Sequence, residues 1–156
     1  MFKIHDILCC LFYPAILLFS SSSLSSEILD AYEKSSNKSL QEILEDTEFA
    51  ITEYNLRIVE RLHIGEAIRE RGSEEFPDYE IILYCNLTFA EKMLELKPEM
   101  INTCPGRITI RGRGNPYIIS AQLWPEDPDN EELNMLIRNM NSILIKIVDH
   151  AALHWE

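Results

Sequence analysis

Apolar residues near the C-terminal end of the chain recur at alternating spacings of four and three, the period of one face of an α-helix. This stripe predicts a helix of about twenty residues, about 30 Å long. In a small domain such a helix normally lies across one face of a sheet. The stripe consists of Leu133, Ile137, Met140, Leu144, Ile147 and Ala151.

Two further helices are indicated by capping boxes, in which a hydroxyl and a carboxylate three residues later satisfy free backbone amides. The first box, residues 39–42, opens a helix that ends near Asn55, a residue suited to a left-handed helix exit. The second box, residues 88–91, opens a helix that is expected to break near Pro98.

Strand patterns lie between these helices. Residues 56–62 alternate, with Leu56, Ile58 and Leu62 on one face, and lead to His63 and a short helical turn. Residues 79–85 form the most apolar strand, which predicts a central position with both faces covered.

Two runs of β-branched residues around the glycine-rich turn 112–115 predict an antiparallel hairpin ahead of the last helix. The order of elements predicts an α+β domain, with a mostly antiparallel sheet packed against helices and a long amphipathic helix at the C-terminus.

Residues 1–26 have the outline of a secretory signal peptide. The apolar run 7–19 is shorter than the roughly 20 residues that a membrane-spanning helix needs, and the serine tract after it suits signal peptidase. Asp6 and Pro14 depart from the usual pattern, so an uncleaved N-terminal anchor is the alternative. We predict a single domain over residues 27–156 and a periplasmic or secreted location, with no stable membrane span after cleavage.

The charge balance changes which partners are expected. The chain has 156 residues, with 14 Lys+Arg against 26 Asp+Glu, a formal net charge of -12. A protein that neutralises phosphates needs a basic face. We therefore expect no nucleic-acid partner. The 46% of hydrophobic residues also excludes a disordered chain.

Removal of residues 1–26 leaves two cysteines, Cys85 and Cys104. In an oxidising compartment they could form a disulfide, worth about 3 kcal/mol on the chain-entropy model. The alternative is a pair of buried free thiols, because both lie beside apolar strands, where cysteine behaves as a small hydrophobic residue. Their spacing does not match a CxxC motif.

His63 is the candidate ligand among the histidines, because it lies at a strand end. A neutral imidazole there could bind haem iron or a metal, whereas the structural alternative is a histidine hydrogen-bonded at a strand–helix junction. Cys104, ahead of a Pro-Gly turn, could form a redox pair with Cys85 or carry a persulfide. The sequence contains no nucleophile elbow and no phosphate loop, and we predict no dedicated metal site.

An ordered set of short motifs resembles the domain of unknown function family 302. The motifs are residues 63–69 (HIGEAIR), 76–79 (FPDY), 85–90 (CNLTFA), 98–99 and Cys104 ahead of the hairpin. The resemblance covers about residues 39–124, with a similar C-terminal helix after it. One departure is that the family usually has Met-Pro before the second cysteine, whereas Asn102-Thr103 precede Cys104 here.

The resemblance implies a TBP-like, helix-grip α+β fold in an exported bacterial protein, commonly dimeric, with some members near sulfur-oxidation and cytochrome functions. Together these expectations favour an exported binding domain rather than an enzyme. It would hold a small redox-active ligand, with haem as the candidate cofactor and His63, Cys104 and Cys85 as the candidate binding residues, and it would form a homodimer. The alternatives are a thiol or persulfide-carrying redox protein and a chemically silent interaction module.

Overall fold

The computed structural model describes residues 30–153. The predicted signal peptide and residues 154–156 lie outside this range. A 3-10 helix, Pro98–Thr103, follows the third α-helix. The other elements in chain order are β1 Ala31–Ser36, α1 Leu40–Glu53, β2 Arg57–His63, α2 Ile64–Arg69, β3 Asp78–Cys85, α3 Leu87–Leu96, β4 Gly106–Gly112, β5 Tyr117–Gln122 and α4 Glu131–Ala152.

The strands form one sheet in the order β1-β5-β4-β3-β2, and every neighbouring pair is antiparallel. The predicted α+β class and the β4–β5 hairpin are therefore confirmed. Strand β1 pairs with β5 and forms one edge of the sheet. Strand β2 forms the other edge.

The core lies between one face of the sheet and the helices. Alternate strand residues such as Ile82, Ile108 and Ile119 are buried in it, as the period of two in a strand requires. The opposite face of β3 carries Ile81 and Leu83, which are only half-buried in the described part of the chain. The prediction that β3 is covered on both faces is wrong for residues 30–153, because the helices that cover β3 pack on one side.

The long helix α4 confirms the C-terminal pattern. It has 22 residues, and all six residues of the apolar stripe are buried. Its start is fixed by Asn130, whose side chain accepts a hydrogen bond from the backbone N–H of Leu133 at 3.0 Å. Across residues 30–153, no helix is both long enough and apolar enough to cross a membrane.

The structure confirms two of the three residues that were predicted to start or end a helix. Ser39 forms the predicted capping box at the start of α1, and Asn55 has a left-handed φ of 56° after its end. Helix α3, however, begins at Leu87 and not after Thr88. The side chain of Asn86 accepts a hydrogen bond from the N–H of Phe89 at 3.0 Å, which closes the first helical turn two residues earlier.

A β-bulge in β2 decides which side chains face the core. Ile58 pairs with Tyr84, but Glu60 pairs with Leu83, so Val59 is an extra residue. Because strand side chains alternate, one inserted residue moves every later side chain to the other face. Leu62 therefore does not share the face of Ile58, contrary to the prediction.

Candidate functional site

Two cysteines that are distant in sequence meet at one end of the sheet. Cys85 is the last residue of β3, and Cys104 follows the 3-10 helix, whose final turn places the Cys104 N–H on the Ile101 carbonyl at 3.1 Å. Their Sγ atoms lie 3.6 Å apart. Both thiols are free and half-buried. The two sulfurs therefore lie close together, as either a disulfide or a redox pair requires.

The pair is arranged for disulfide formation. A disulfide bond is about 2.0 Å long, so the Sγ atoms need to approach by only about 1.6 Å from their separation of 3.6 Å. The pKa of the Cys104 thiol is raised to about 11, mainly by burial. The hydrogen bond with Cys85 and the charge of Cys85 also raise this pKa. Cys104 is therefore a protonated thiol at neutral pH.

Tyr84 lies beside this pair with its hydroxyl buried. Among the described residues, the hydroxyl has no hydrogen-bond partner. Burial is the largest cause of the raised pKa of Tyr84, the charge of Cys104 raises it further, and Arg107 opposes the shift. Gly106 makes room for the ring, since a Cβ there would lie 2.4 Å from Cζ of Tyr84.

A small internal cavity separates the thiols from the aromatic core. Its volume is about 10 Å³, about the space that one water molecule needs. The rings of Phe89 and Trp124 meet edge to face in its wall, with their centroids 5.2 Å apart. Besides Cys85 and Cys104, the lining residues are Tyr84, Asn86, Phe89, Ala90, Gly106, Trp124 and Met140.

Cys85 also lines an open cleft on the outside of the molecule, between the start of β2 and the start of α3. The cleft has a volume of about 530 Å³. Leu87 and Val59 are 77% and 53% exposed at its walls. Arg57 pairs directly with Cys85 across the β2–β3 ladder, so its side chain lies on the same face. The complete lining is Asn55, Arg57, Ile58, Val59, Cys85, Asn86, Leu87 and Thr88.

The predicted ligand His63 is the last residue of β2, and its side chain meets a buried carboxylate. Nδ1 of His63 lies 2.6 Å from Oε2 of Glu80, a residue that is only 5% exposed. Burial is the main cause of the raised pKa of Glu80; the hydrogen bond with His63 lowers it, and the charges of Asp78 and Glu66 raise it.

Asp78 extends this polar group along β3. Its Oδ1 lies 3.1 Å from Nη1 of Arg69, and its Oδ2 accepts a hydrogen bond from the hydroxyl of Tyr117 at 2.8 Å. Arg69 also donates to the carbonyl of Phe76 at 2.8 Å. These contacts hold α2 against the start of β3 and so fix the helix that begins directly after His63.

The imidazole and the thiol pair lie at opposite ends of β3. His63 pairs with Glu80, whereas Arg57 pairs with Cys85, five residues further along the strand. At about 3.3 Å per residue this is a distance of about 17 Å. The structure therefore brings Cys85 and Cys104 together and places His63 at a separate position. Within residues 30–153, no group of three or more His, Cys, Asp or Glu is arranged to hold a metal ion.

Three residues of these sites were not identified from the sequence. Glu80 interrupts an apolar strand at a position that shares its face with Ile82 and Tyr84, and this charge on a core face was a readable signal. Tyr84 and Arg57 carried no such signal, because their importance depends on what lies opposite each of them in the sheet.

Comparisons with known proteins give a family and a fold. The family model described as "Domain of unknown function DUF302" matches residues 32–150. The crystal structure of an uncharacterized conserved DUF302 protein from Bacillus stearothermophilus is similar, with a TM-score of 0.68 and 14% sequence identity. The similarity covers 78% of this chain and 97% of that one. No curated protein matches the sequence.

Proposed function

Because this chain belongs to the DUF302 family, whose description assigns no activity, the site itself must indicate the function, and we propose a thiol–disulfide exchange domain with Cys85 and Cys104 as its redox pair. The observation that supports this proposal is the 3.6 Å separation of the two free Sγ atoms. In the forward direction the reduced protein reduces a substrate disulfide. In the reverse direction the oxidised protein oxidises a dithiol or two thiols.

The reaction has two exchange steps. The Cys85 thiolate attacks one sulfur of the substrate disulfide, a mixed disulfide forms, and the first substrate thiolate leaves. Cys104 then loses its proton and attacks Sγ of Cys85, which forms the intramolecular disulfide and releases the second substrate thiolate. The two protons lost by the cysteines end on the two released thiols. The protein is oxidised by two electrons, and the substrate is reduced by two.

The surroundings of the two sulfurs favour this order of attack. Cys85 lines the open cleft as well as the small cavity that it shares with Cys104, so a substrate can approach Cys85 from solvent through the cleft. The raised pKa of Cys104 keeps that thiol protonated at neutral pH, which suits the second, resolving thiol better than the first nucleophile.

The test is an exchange assay with the reduced protein and a small disulfide. We expect the wild type to lose two hydrogens in the Cys85 and Cys104 peptides, without retained adduct, as measured by mass spectrometry. Cys104→Ser is expected to stop at a mixed disulfide on Cys85. If the folded protein stays fully reduced while the unfolded protein oxidises, the pair has no exchange function and a silent interaction module becomes the better explanation.

A second candidate function, binding of haem or another small redox-active ligand at His63, is supported by the contact between His63 and Glu80. When Glu80 is ionised it can only accept a hydrogen bond, so it orients a neutral imidazole with Nδ1 donating and the lone pair of Nε2 available to a ligand. His63 is part of an exposed edge strand, with its side chain 49% exposed. His63 would hold the haem iron, and Glu80 would orient its ring. Haem would supply one-electron redox chemistry.

Haem titration tests the second candidate. A Soret band that appears with the wild type and with Cys85→Ser, but not with His63→Ala, would support it. Glu80→Gln keeps an acceptor for Nδ1 but removes the negative charge, so a shifted absorption maximum is expected for a bound imidazole. Absence of any haem-dependent absorbance in the wild type overturns this candidate.

The proposal includes an exported location and a homodimer. An oxidising compartment would supply disulfide substrates and oxidants for the thiol pair. Met135 is 58% exposed on α4 and would be covered by a symmetric partner. Sedimentation of the purified protein tests the dimer, and fractionation of the native host tests the location. A role in sulfur metabolism is the wider context in which such an exchange protein would act.

A further inference from the structure

The cleft beside Cys85 gives this thiol pair a substrate preference, and we infer that it selects a low-molecular-weight disulfide that carries a carboxylate. This inference rests on the thiol–disulfide exchange function proposed above. It adds the chemical class of the substrate and a residue, Arg57, that determines specificity.

Arg57 places a positive charge next to the reacting sulfur. It lies directly opposite Cys85 in the antiparallel ladder, where the Cβ atoms of such pairs are about 5 Å apart. In the described part of the chain, Arg57 makes no ion pair and no side-chain hydrogen bond. A guanidinium that has no protein carboxylate beside it is free to hold the carboxylate of a substrate.

Other arginines in and beside the sheet have acidic partners, unlike Arg57. Arg111 and Arg61 are paired with Glu33 and Glu48, and Arg69 is paired with Asp78. In a chain with 26 Asp+Glu against 14 Lys+Arg, most arginines can find an acidic partner. Arg57 makes no such pair. Arg71 and Arg107 also make none among the described residues, but Arg57 is the arginine that lines the cleft beside Cys85.

The walls of the cleft fit a short ligand with an apolar part. Leu87 and Val59 are large apolar residues that line the cleft and remain exposed, and Ile58 lines it as well. Asn86 has its carbonyl oxygen committed to the cap of α3 and its amide to the carbonyl of Asn55. The Asn86 side chain is therefore held in place, while the apolar side chains of the cleft remain accessible to a ligand.

The size of the cleft favours a small molecule over a folded protein. Sites for small ligands usually measure about 300 to 1,000 Å³, and this cleft measures about 530 Å³. A molecule with two short carboxylated arms around a disulfide fits that range. Its sulfur would lie at Cys85 and one carboxylate at Arg57.

The net charge makes the preference testable. A protein with a net charge of -12 repels anions at long range and attracts cations. Without a local site, a cationic disulfide would therefore react faster than an anionic one. The inference predicts the reverse order, because Arg57 acts within a few ångström of the sulfur, where salt screens the interaction less than it screens the distant surface charges.

The experiment uses the full chain with Cys104→Ser, which retains the mixed disulfide on Cys85. Three disulfides of similar size serve as probes: anionic dithiodipropionate, neutral 2-hydroxyethyl disulfide and cationic cystamine. The rate of adduct formation on the Cys85 peptide is measured by mass spectrometry at about 0.15 M salt. Each rate is divided by the rate of the same probe with an unstructured cysteine peptide, which corrects for intrinsic reactivity.

Arg57→Gln is compared with Arg71→Gln, which removes the same charge from an exposed position near the opposite end of β3. We expect Arg57→Gln to lower the normalised rate with dithiodipropionate about fivefold and to raise the rate with cystamine. Arg71→Gln should change both rates by less than about twofold.

The outcomes separate this inference from the proposed function. If Cys85 reacts with all three probes and the two arginine variants behave alike, the exchange function stands and the carboxylate preference is wrong. A cysteine-peptide disulfide that reacts faster than dithiodipropionate also overturns it, since the substrate would then be a peptide. If no probe modifies Cys85 in the folded protein, the exchange function itself fails.

Discussion

Tyr84 and Tyr117 both bury their rings on the helix-covered face of the sheet, but their hydroxyls have different surroundings. The hydroxyl of Tyr117 donates a hydrogen bond to Oδ2 of Asp78 at 2.8 Å, whereas that of Tyr84 has no partner within residues 30–153. A buried polar group without a partner keeps its desolvation cost and gains nothing in return.

The two tyrosines therefore predict opposite effects of one substitution. Tyr84→Phe should raise the free energy of unfolding by about 1 kcal/mol, because it removes an unpaired hydroxyl from the core. Tyr117→Phe should lower it by about 2 kcal/mol, because it removes a hydrogen bond to a carboxylate. Urea denaturation at neutral pH measures both. Equal destabilisation by the two substitutions would show that the hydroxyl of Tyr84 has a bound partner, such as a water or a ligand atom.

Oxidation of the thiol pair should stabilise the fold. A disulfide between Cys85 and Cys104 closes a loop across 19 positions of sequence, which restricts the unfolded chain by about 3 kcal/mol. We expect the oxidised wild type to unfold at higher denaturant concentration than the reduced wild type. Cys85→Ser serves as the control, because its stability should not change when the same oxidant is added. A loss of stability on oxidation would mean that the disulfide distorts the end of β3.

The reactivity of Cys104 should depend on pH up to unusually alkaline values. Its pKa is raised to about 11, so its thiolate fraction grows about tenfold per pH unit from pH 7 to pH 10. An ordinary cysteine, with a pKa of about 8.5, is half ionised at that pH and approaches its plateau about one pH unit higher. Alkylation of the Cys104 peptide with iodoacetamide, followed by mass spectrometry, gives the profile. The protein unfolded in guanidinium is the control, and a plateau below about pH 10 in the folded protein would contradict the prediction.

Glu80 should make the stability depend on pH in an unusual direction. Its pKa is raised above the ordinary value of a glutamate in the folded protein, chiefly by burial. A carboxyl group with a raised folded-state pKa stabilises the fold below its unfolded pKa, and this contribution is lost as the pH rises through the folded-state value. The glutamine in Glu80→Gln cannot ionise. The free energy of unfolding of this variant, relative to that of the wild type, should therefore be higher at pH 7 than at pH 4.

Denaturant unfolding at the two pH values tests this prediction. The exposed Glu91 supplies the control, since Glu91→Gln should show the same difference from the wild type at pH 4 and pH 7. A Glu80→Gln variant that loses stability mainly at pH 7 would show instead that the charged contact with His63 outweighs the cost of burying the carboxylate.

Much of the fold could be predicted because its elements are specified locally. The spacing of apolar residues in α4, the capping box at Ser39 and the left-handed Asn55 all depend on residues within a few positions of one another. Helix α3 shows the limit of such reasoning, since both Asn86 and Thr88 are competent caps and only the packed structure shows that Asn86 closes the first turn.

The candidate site depended on contacts that local patterns do not encode. Sequence reasoning identified His63, Cys85 and Cys104 as chemically capable residues, but it could not show that the sulfurs meet and that the imidazole lies about 17 Å away along β3. The register of β2 against β3 sets the position of His63, whereas the 3-10 helix that leads into β4 brings Cys104 to the end of β3.

The sequence alone determined the α+β class, the long amphipathic helix and the residue types available for chemistry, because periodicity, caps and side-chain chemistry are properties of the chain itself. The tertiary structure decided which side chains lie next to one another. The extra residue Val59 shifts β2 by one position and sets His63 against Glu80, while the ladder before the bulge sets Arg57 beside Cys85. A bulge in one strand is defined only by the strand it pairs with, so these contacts exist only once the sheet has formed.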